Sequence, residues 1–291
     1  MPGRLNNPAS PFVVLAPPGL FPSASPGASL ATPYGPVQYY QSGEHREGGE
    51  GGEHHGNDRI TWLAPAPPRA LIYGAKEMGY ERVVEVLPLR AVNWLLEPGD
   101  LLVPDHLVDL THGRDMTFFV GKGYGFLPQH PPFCPVVRDA LIAAGHQVVA
   151  EVPLAERPRI FVRGTYGAVV VEPESAPESA LRQAGTLWGA DAIGSRGVPT
   201  SFLSRELELC YALLGYVQGG SPSAAPPPLL TQVLRVLQAA AHLLPPDRAC
   251  PCARAMHSTR ERGIIDDDWH TWVVPAPGEK WRTPMEPSEP F

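Results

Sequence analysis

The chain has 291 residues, of which 43% are hydrophobic and 18% charged, and it carries a formal charge of −7. That length buries one sizeable core, arranged as one large domain or two small ones. The negative balance, with Lys and Arg scattered rather than striped, excludes a phosphate-backbone binder, so nucleic acid is not an expected partner.

From the N-terminus, MPGRLNNPASPFVVLAPPGLF offers only a short apolar run broken by prolines. It is too short and too interrupted for a signal peptide or a membrane span, so no membrane is expected and cytoplasmic residence is the default. The 36 prolines and 29 glycines cluster, and the clusters mark the joints. Residues 15–37 read as loop, and 41–57 (QSGEHREGGEGGEHHGN) as a polar low-complexity stretch with no core strand in it. WLAPAPP (62–68) and GGSPSAAPPP (219–228) read as stiff extended connectors.

Between these joints helices and strands alternate. RALIYGAKEM (69–78) has helical spacing and stops at Gly79, while RVVEVL (82–87) and DLLVP (100–104) are strands either side of a Pro98-Gly99 turn. PVVRDALIAAG (135–145) opens on Pro and closes on Gly, the expected punctuation of a helix, which leaves QVVAEVP (147–153) as a strand. TYGAVVVEP (165–173) is a strand, PESALRQAGTLWG (177–189) a helix, ADAIGS (190–195) a short strand and PTSFLSRELE (199–208) a helix. LCYALLGYV (209–217) is apolar throughout, as a strand buried on both faces must be, and PLLTQVLRVLQAAAHLL (228–244) is the strongest amphipathic helix. The alternation gives an α/β fold: a single domain over 1–255 with a central mixed, distorted β-sheet flanked by helices, then an irregular tail over 256–291.

Several stretches together resemble one family, the trimeric purine nucleoside and methylthioadenosine phosphorylases. They are ATPYGP (31–36), GYERVVEV (79–86), LEPGDLLVPDHLVDLTHGRDMTFF (96–119), PFCPVVRDAL (132–141), LWGADAIG (187–194), VPTSFLSRELELCYA (198–212) and the Cys250-Pro251-Cys252 pair. They run in unbroken order from about residue 10 to 255. The resemblance implies one α/β domain around a distorted mixed sheet, a homotrimer, and active sites near subunit interfaces.

Phosphorolysis of an N-glycosidic bond needs backbone N–H groups, hydroxyls and an Arg to hold phosphate, and an acid or donor for the departing base. At the positions the resemblance assigns to these tasks, other residues stand. The Gly-Gly-Ser/Thr-Gly-Leu phosphate loop is matched by Ala16-Pro17-Pro18-Gly19-Leu20, and the Arg-His-Gly segment by His54-His55-Gly56. The Ser/Thr-Ala-x-Gly-Ser run is matched by Leu87-Pro88-Leu89-Arg90-Ala91. The base-stacking Glu-Gly-Pro-Arg-Phe-Ser-Thr loop is matched by the stretch Glu172 to Glu178, Gly-Met-Thr by Gly194-Ser195-Arg196, and the acidic Thr-Asp-x-Asp turn by Gln218-Gly219-Gly220-Ser221. Phe126 stands where the neighbouring-subunit loop of the family carries a His.

The expected site is therefore a rebuilt cleft. Arg90 and Arg196 clamp an anion, or else pair with Glu172 or Glu174 and fill the vacated space. Glu172 is the remaining acid or base and His55 contacts sugar or anion. Ser195, Phe126, Gln218 and Ser221 complete the ligand-binding set. The ligand is nucleoside-like or anionic, and no cofactor is expected. Three classes of function stay open: an enzyme with altered glycosidic chemistry, a non-catalytic small-molecule binder, or an inactive subunit that partners an active paralogue in a hetero-oligomer.

Other clusters read blandly. His45, His54 and His55 lie at flexible Gly-rich spacing, without the geometry of a metal site. Asp266-Asp267-Asp268 is a solvated charge run. Cys134 and Cys210 lie in apolar stretches and read as buried thiols. Cys250 and Cys252 admit a disulfide or a metal, but a two-ligand pair with no second pair in sequence favours free thiols, and no metal site is expected.

Overall fold

In the computed structural model, residues 10–17, 20, 27–42, 60–120, 127–170, 175–219 and 227–273 are described. The strands are β1 (Val13–Leu15), β2 (Ala28–Leu30), β3 (Val37–Ser42), β4 (Ile60–Leu63), β5 (Arg82–Ala91), β6 (Leu101–Leu102), β7 (His106–Asp109), β8 (Ile160–Phe161), β9 (Thr165–Ala168), β10 (Ala192–Gly194) and β11 (Cys210–Val217). The helices are α1 (Pro68–Glu77), α2 (Pro135–Glu151), α3 (Glu178–Trp188), α4 (Thr200–Glu206), α5 (Pro227–Leu243) and α6 (His257–Glu261).

The strands form one mixed sheet that branches at β5. Its order is β2-β3-β4-β1-β5-β10-β9-β7, with β11 also on β5 and β6 and β8 beyond it. The first half of β5 lies parallel between β1 and β11, pairing Val83 with Val13 on one side and with Tyr211 on the other. Its last two residues turn to β10, which runs antiparallel, with Arg90 opposite Ile193. This switch of partners is the distortion expected of the sheet.

Side chains of a strand alternate between faces, and the core divides accordingly. Val83, Leu87 and Leu89 of β5 join Tyr211, Leu213 and Val217 of β11 in one apolar cluster. Val84 and Val86 join Cys210, Ala212, Leu214 and Tyr216 in the other. Helices α1 and α4 pack together, as do α2 and α5; residues of α1 and α4 enter the first cluster and those of α2 and α5 the second. Every residue of β11 is buried, as its unbroken apolar run requires.

The structure corrects three expectations. QVVAEVP is no strand: α2 continues through Gly145 to Glu151. Gly145 does not stop the helix but lets β8 approach it, since a Cβ there would lie 2.1 Å from Ile160 Cδ1. Trp62 and Leu63 belong to β4 rather than to a connector, and the stretch read as loop over 15–37 contains β2 and the start of β3. Packing decides each case, because the short strands pair only in the folded sheet.

The final described segment is anchored. Tyr34 donates from its hydroxyl to Val273 O. Trp272 and Val273 are buried in the first cluster. His270 joins Asp268 Oδ1 (2.7 Å) to Glu77 Oε2 at the end of α1 (2.8 Å) and stacks on Trp269. Burial opposes charge on His270, but the two carboxylates outweigh it and raise its pKa.

Candidate ligand-binding cleft

The region matched to the phosphorylase site lies around the C-terminal ends of β5 and β11 and the turn after β10. Leu87-Pro88-Leu89-Arg90-Ala91 stays in the ladder to its end, with Pro88 opposite Tyr216 and Leu89 opposite Val217. Gln218 donates its N–H to Leu89 O at 2.9 Å, extending that ladder by one bond. Leu89 packs over Gly215, where an added Cβ would lie 2.1 Å from Leu89 Cδ1. A strand whose amides are committed to neighbours, and one of whose residues is Pro, does not present the cluster of free N–H groups that cradles an anion.

Arg90 points to the face opposite Leu87 and Leu89. Its guanidinium donates to Ala176 O at 2.7 Å and lies 3.7 Å from Glu178 of α3. Together with Ala91, Val92, Leu181, Arg182, Gly185 and Thr186 these two charged residues line a cavity of about 380 Å³. That volume is near the lower end for small-molecule pockets.

Arg196 turns to a different partner. Its Nε lies 3.8 Å from Glu85 Oε1, and Glu85, on β5, is almost wholly buried. Glu85 Oε2 accepts from Thr200 Oγ1 (2.5 Å) and from the Tyr211 hydroxyl (2.6 Å). A buried carboxylate is tolerable only with such partners. Burial, then the charge of Glu85, holds the phenols of Tyr166 and Tyr211 well above their ordinary pKa range.

The turn that carries Ser195 and Arg196 is fixed from both sides. Arg114 donates to Ser195 O (2.7 Å), to Val169 O (3.0 Å) and to Val198 O. The Tyr166 hydroxyl donates to Arg196 O at 2.5 Å. Two glycines make room for that ring: a Cβ at Gly194 would sit 2.6 Å from Tyr166 Oη, and one at Gly197, whose φ is +86°, would sit 2.9 Å from Tyr166 Cε1.

Among the described residues, Arg90 thus engages Ala176 and Glu178 while Arg196 engages Glu85. Glu172 and Glu174 lie outside the described residues, as do His54, His55, Phe126 and Ser221. Ser195 and Gln218 are half-buried, one in the turn after β10 and the other just past the end of β11. The residues not anticipated are Glu85, Thr200, Tyr211, Tyr166 and Arg114. Of these only Glu85 signals itself in sequence, as the one charge inside the apolar run Val83 to Leu89.

A second buried carboxylate lies on α4. Glu206 accepts from Phe118 N (2.7 Å) and Thr117 Oγ1 (2.5 Å). Burial pushes its pKa up to about 7 against those bonds and the nearby Arg69 charge.

Known proteins place the chain. It is 31% identical over 202 residues to the S-methyl-5'-thioadenosine phosphorylase of Thermofilum pendens, covering 65% of this chain and 72% of that protein. It is 28% identical over 231 residues to the 6-oxopurine nucleoside phosphorylase of Pyrococcus furiosus, covering 69% and 83% respectively. The chain belongs to the methylthioadenosine and purine nucleoside phosphorylase family. Its fold agrees with that of a methylthioadenosine phosphorylase from an Antarctic soil metagenomic library, at TM-score 0.72 and 20% identity over 92% of this chain and 99% of that one. The apo methylthioadenosine phosphorylase of Schistosoma mansoni aligns at TM-score 0.62 and 17% identity, over 87% and 96% of the two chains. No family model matches the sequence. Among the described residues, no helix is long and apolar enough to cross a membrane.

Proposed function

We propose that this phosphorylase-family protein binds a purine-nucleoside-like ligand in the family cleft and has lost ordinary phosphate-dependent cleavage. One observation carries the reading. Residues 87–91, at the place of a phosphate-binding run, form a hydrogen-bonded strand with Leu89 packed on Gly215 and Arg90 engaged with Ala176 and Glu178. That arrangement removes hydroxyls and free amides from the floor of the site and leaves the ligand cleft without one of its phosphate supports. The turn 194–197 is nevertheless held rigidly by Tyr166 and Arg114, as a binding surface requires.

In this reading the protein acts in the cytoplasm and assembles as a homotrimer or with an active paralogue. Trp94, Leu187 and Trp188 are exposed near the Arg90 cavity, which supports association through that side. Thermal-shift titration with methylthioadenosine, adenosine and inosine tests ligand binding. The expected result is a saturable rise in Tm with at least one of them that phosphate does not enhance, and a weaker rise in Arg196→Ala. The absence of any shift across the panel contradicts the binding claim; an unchanged shift in Arg196→Ala removes Arg196 from the site.

A further inference from the structure

The four cysteines of the chain lie at three places in sequence and at one place in the fold. Cys134 is the N-cap residue of α2, Cys210 opens β11, and Cys250 and Cys252 flank Pro251 in the turn that follows α5. All four are buried, and their sulfurs lie within 4.8 Å of one another. Cys210 Sγ is 3.2 Å from Cys250 Sγ. The backbone reinforces the meeting: Cys134 donates its N–H to Tyr211 O at 2.7 Å, which ties the start of α2 to the start of β11.

We infer that these four sulfurs form a structural zinc site. Tetrahedral zinc holds thiolate sulfurs at about 2.3 Å, which sets them about 3.8 Å apart, so small side-chain movements bring this cluster to coordination geometry. Four protein ligands leave no open position, as in structural rather than catalytic zinc sites. Cys134 stands at the N-terminus of a 17-residue helix, where the dipole favours a thiolate. Binding is an exchange without redox change: Zn²⁺ enters, four thiol protons leave to solvent, and a tetrathiolate complex of charge −2 remains.

The site lies at the opposite end of β11 from Val217 and the cleft, seven residue steps or roughly 23 Å away. It would clamp the central strand, the helix α2 on it and the end of α5, so it supports the fold and takes no part in chemistry on a ligand. The inference is independent of the proposed function.

The test uses the full-length protein, purified under reducing conditions without chelator. Elemental analysis is expected to give near one zinc per chain, and denaturation with chelator is expected to expose all four thiols to a thiol reagent. Cobalt loading of the reduced apoprotein is expected to give sulfur-to-cobalt charge-transfer and tetrahedral ligand-field bands that zinc abolishes. Cys252→Ser and Cys210→Ser should each bind zinc at least tenfold more weakly. Four thiols with no metal, and no cobalt spectrum, would mean a bare thiol cluster and overturn the site. Fewer than four thiols with no metal would mean disulfides and overturn it equally. Zinc retained at full stoichiometry in both variants would place the ion elsewhere. If the variants do not fold, the cobalt spectrum of the native chain decides alone.

Discussion

Glu206→Gln isolates one buried carboxylate and puts a number on it. Glu206 is almost fully buried, and its pKa in the folded chain stands at about 7 against an ordinary 4.5. Below about pH 4.5 the group is protonated in both folded and unfolded chains and adds no pH dependence. Between there and about pH 7 the unfolded chain releases its proton while the folded chain keeps it, so the native protein loses stability as pH rises. A gap of roughly two and a half units corresponds to ~3 kcal/mol at most, reached near pH 7 and constant above it. Gln keeps an acceptor for Phe118 N or Thr117 Oγ1 but cannot ionise. Urea unfolding of both proteins at equal concentration, at about pH 5 and about pH 8, isolates the effect because every other group titrates in both. The variant should gain about 2–3 kcal/mol relative to the native chain between those two conditions. A difference that stays flat with pH refutes the raised pKa and with it the burial argument.

Three further outcomes follow from the same geometry. His270 gains its carboxylate partners on folding and its pKa rises, so its stabilising effect is full below the ordinary imidazole range and is lost as pH climbs through the raised folded value. The Tm difference between native protein and His270→Ala should therefore be larger at about pH 5.5 than at about pH 9, and a constant difference contradicts the clamp. Gly194→Ala sets a methyl 2.6 Å from Tyr166 Oη and should cost about 1–3 kcal/mol in urea unfolding while weakening nucleoside binding; a neutral result means that the turn yields. Leu89→Ala opens a cavity over Gly215 and should cost about 2–5 kcal/mol; a loss below about 1 kcal/mol would show that Leu89 is not tightly packed there.

The fold was largely legible in the sequence because its strongest elements announce themselves: β11 by an unbroken apolar run, α5 by its helical stripe, α1 and α3 by their start and stop residues. The sequence misleads where a local signal is answered by a distant neighbour. Gly145 reads as a helix stop and is a contact with Ile160; Trp62 reads as part of a connector and is a strand residue held by β1 and β3. The site was less legible. Arg90 and Arg196 stand out by position, but their partners Glu178 and Glu85 depend on which faces of β5 Arg90 and Glu85 take and on the turn after β10. The cysteines show the limit most clearly: Cys250 and Cys252 lack a second pair in sequence, and the fold supplies it from residues 134 and 210.

In the proposed function, phosphate-dependent cleavage of the glycosidic bond is lost. Purified protein incubated with methylthioadenosine, adenosine, inosine and guanosine, with and without phosphate, and assayed for free base by chromatography, tests it directly. The expected result is no phosphate-dependent release of base, under conditions in which the same nucleosides shift Tm. Phosphate-dependent release at the rate of an active family member run alongside would contradict it, and would mean that phosphate is held without the help of residues 87–91.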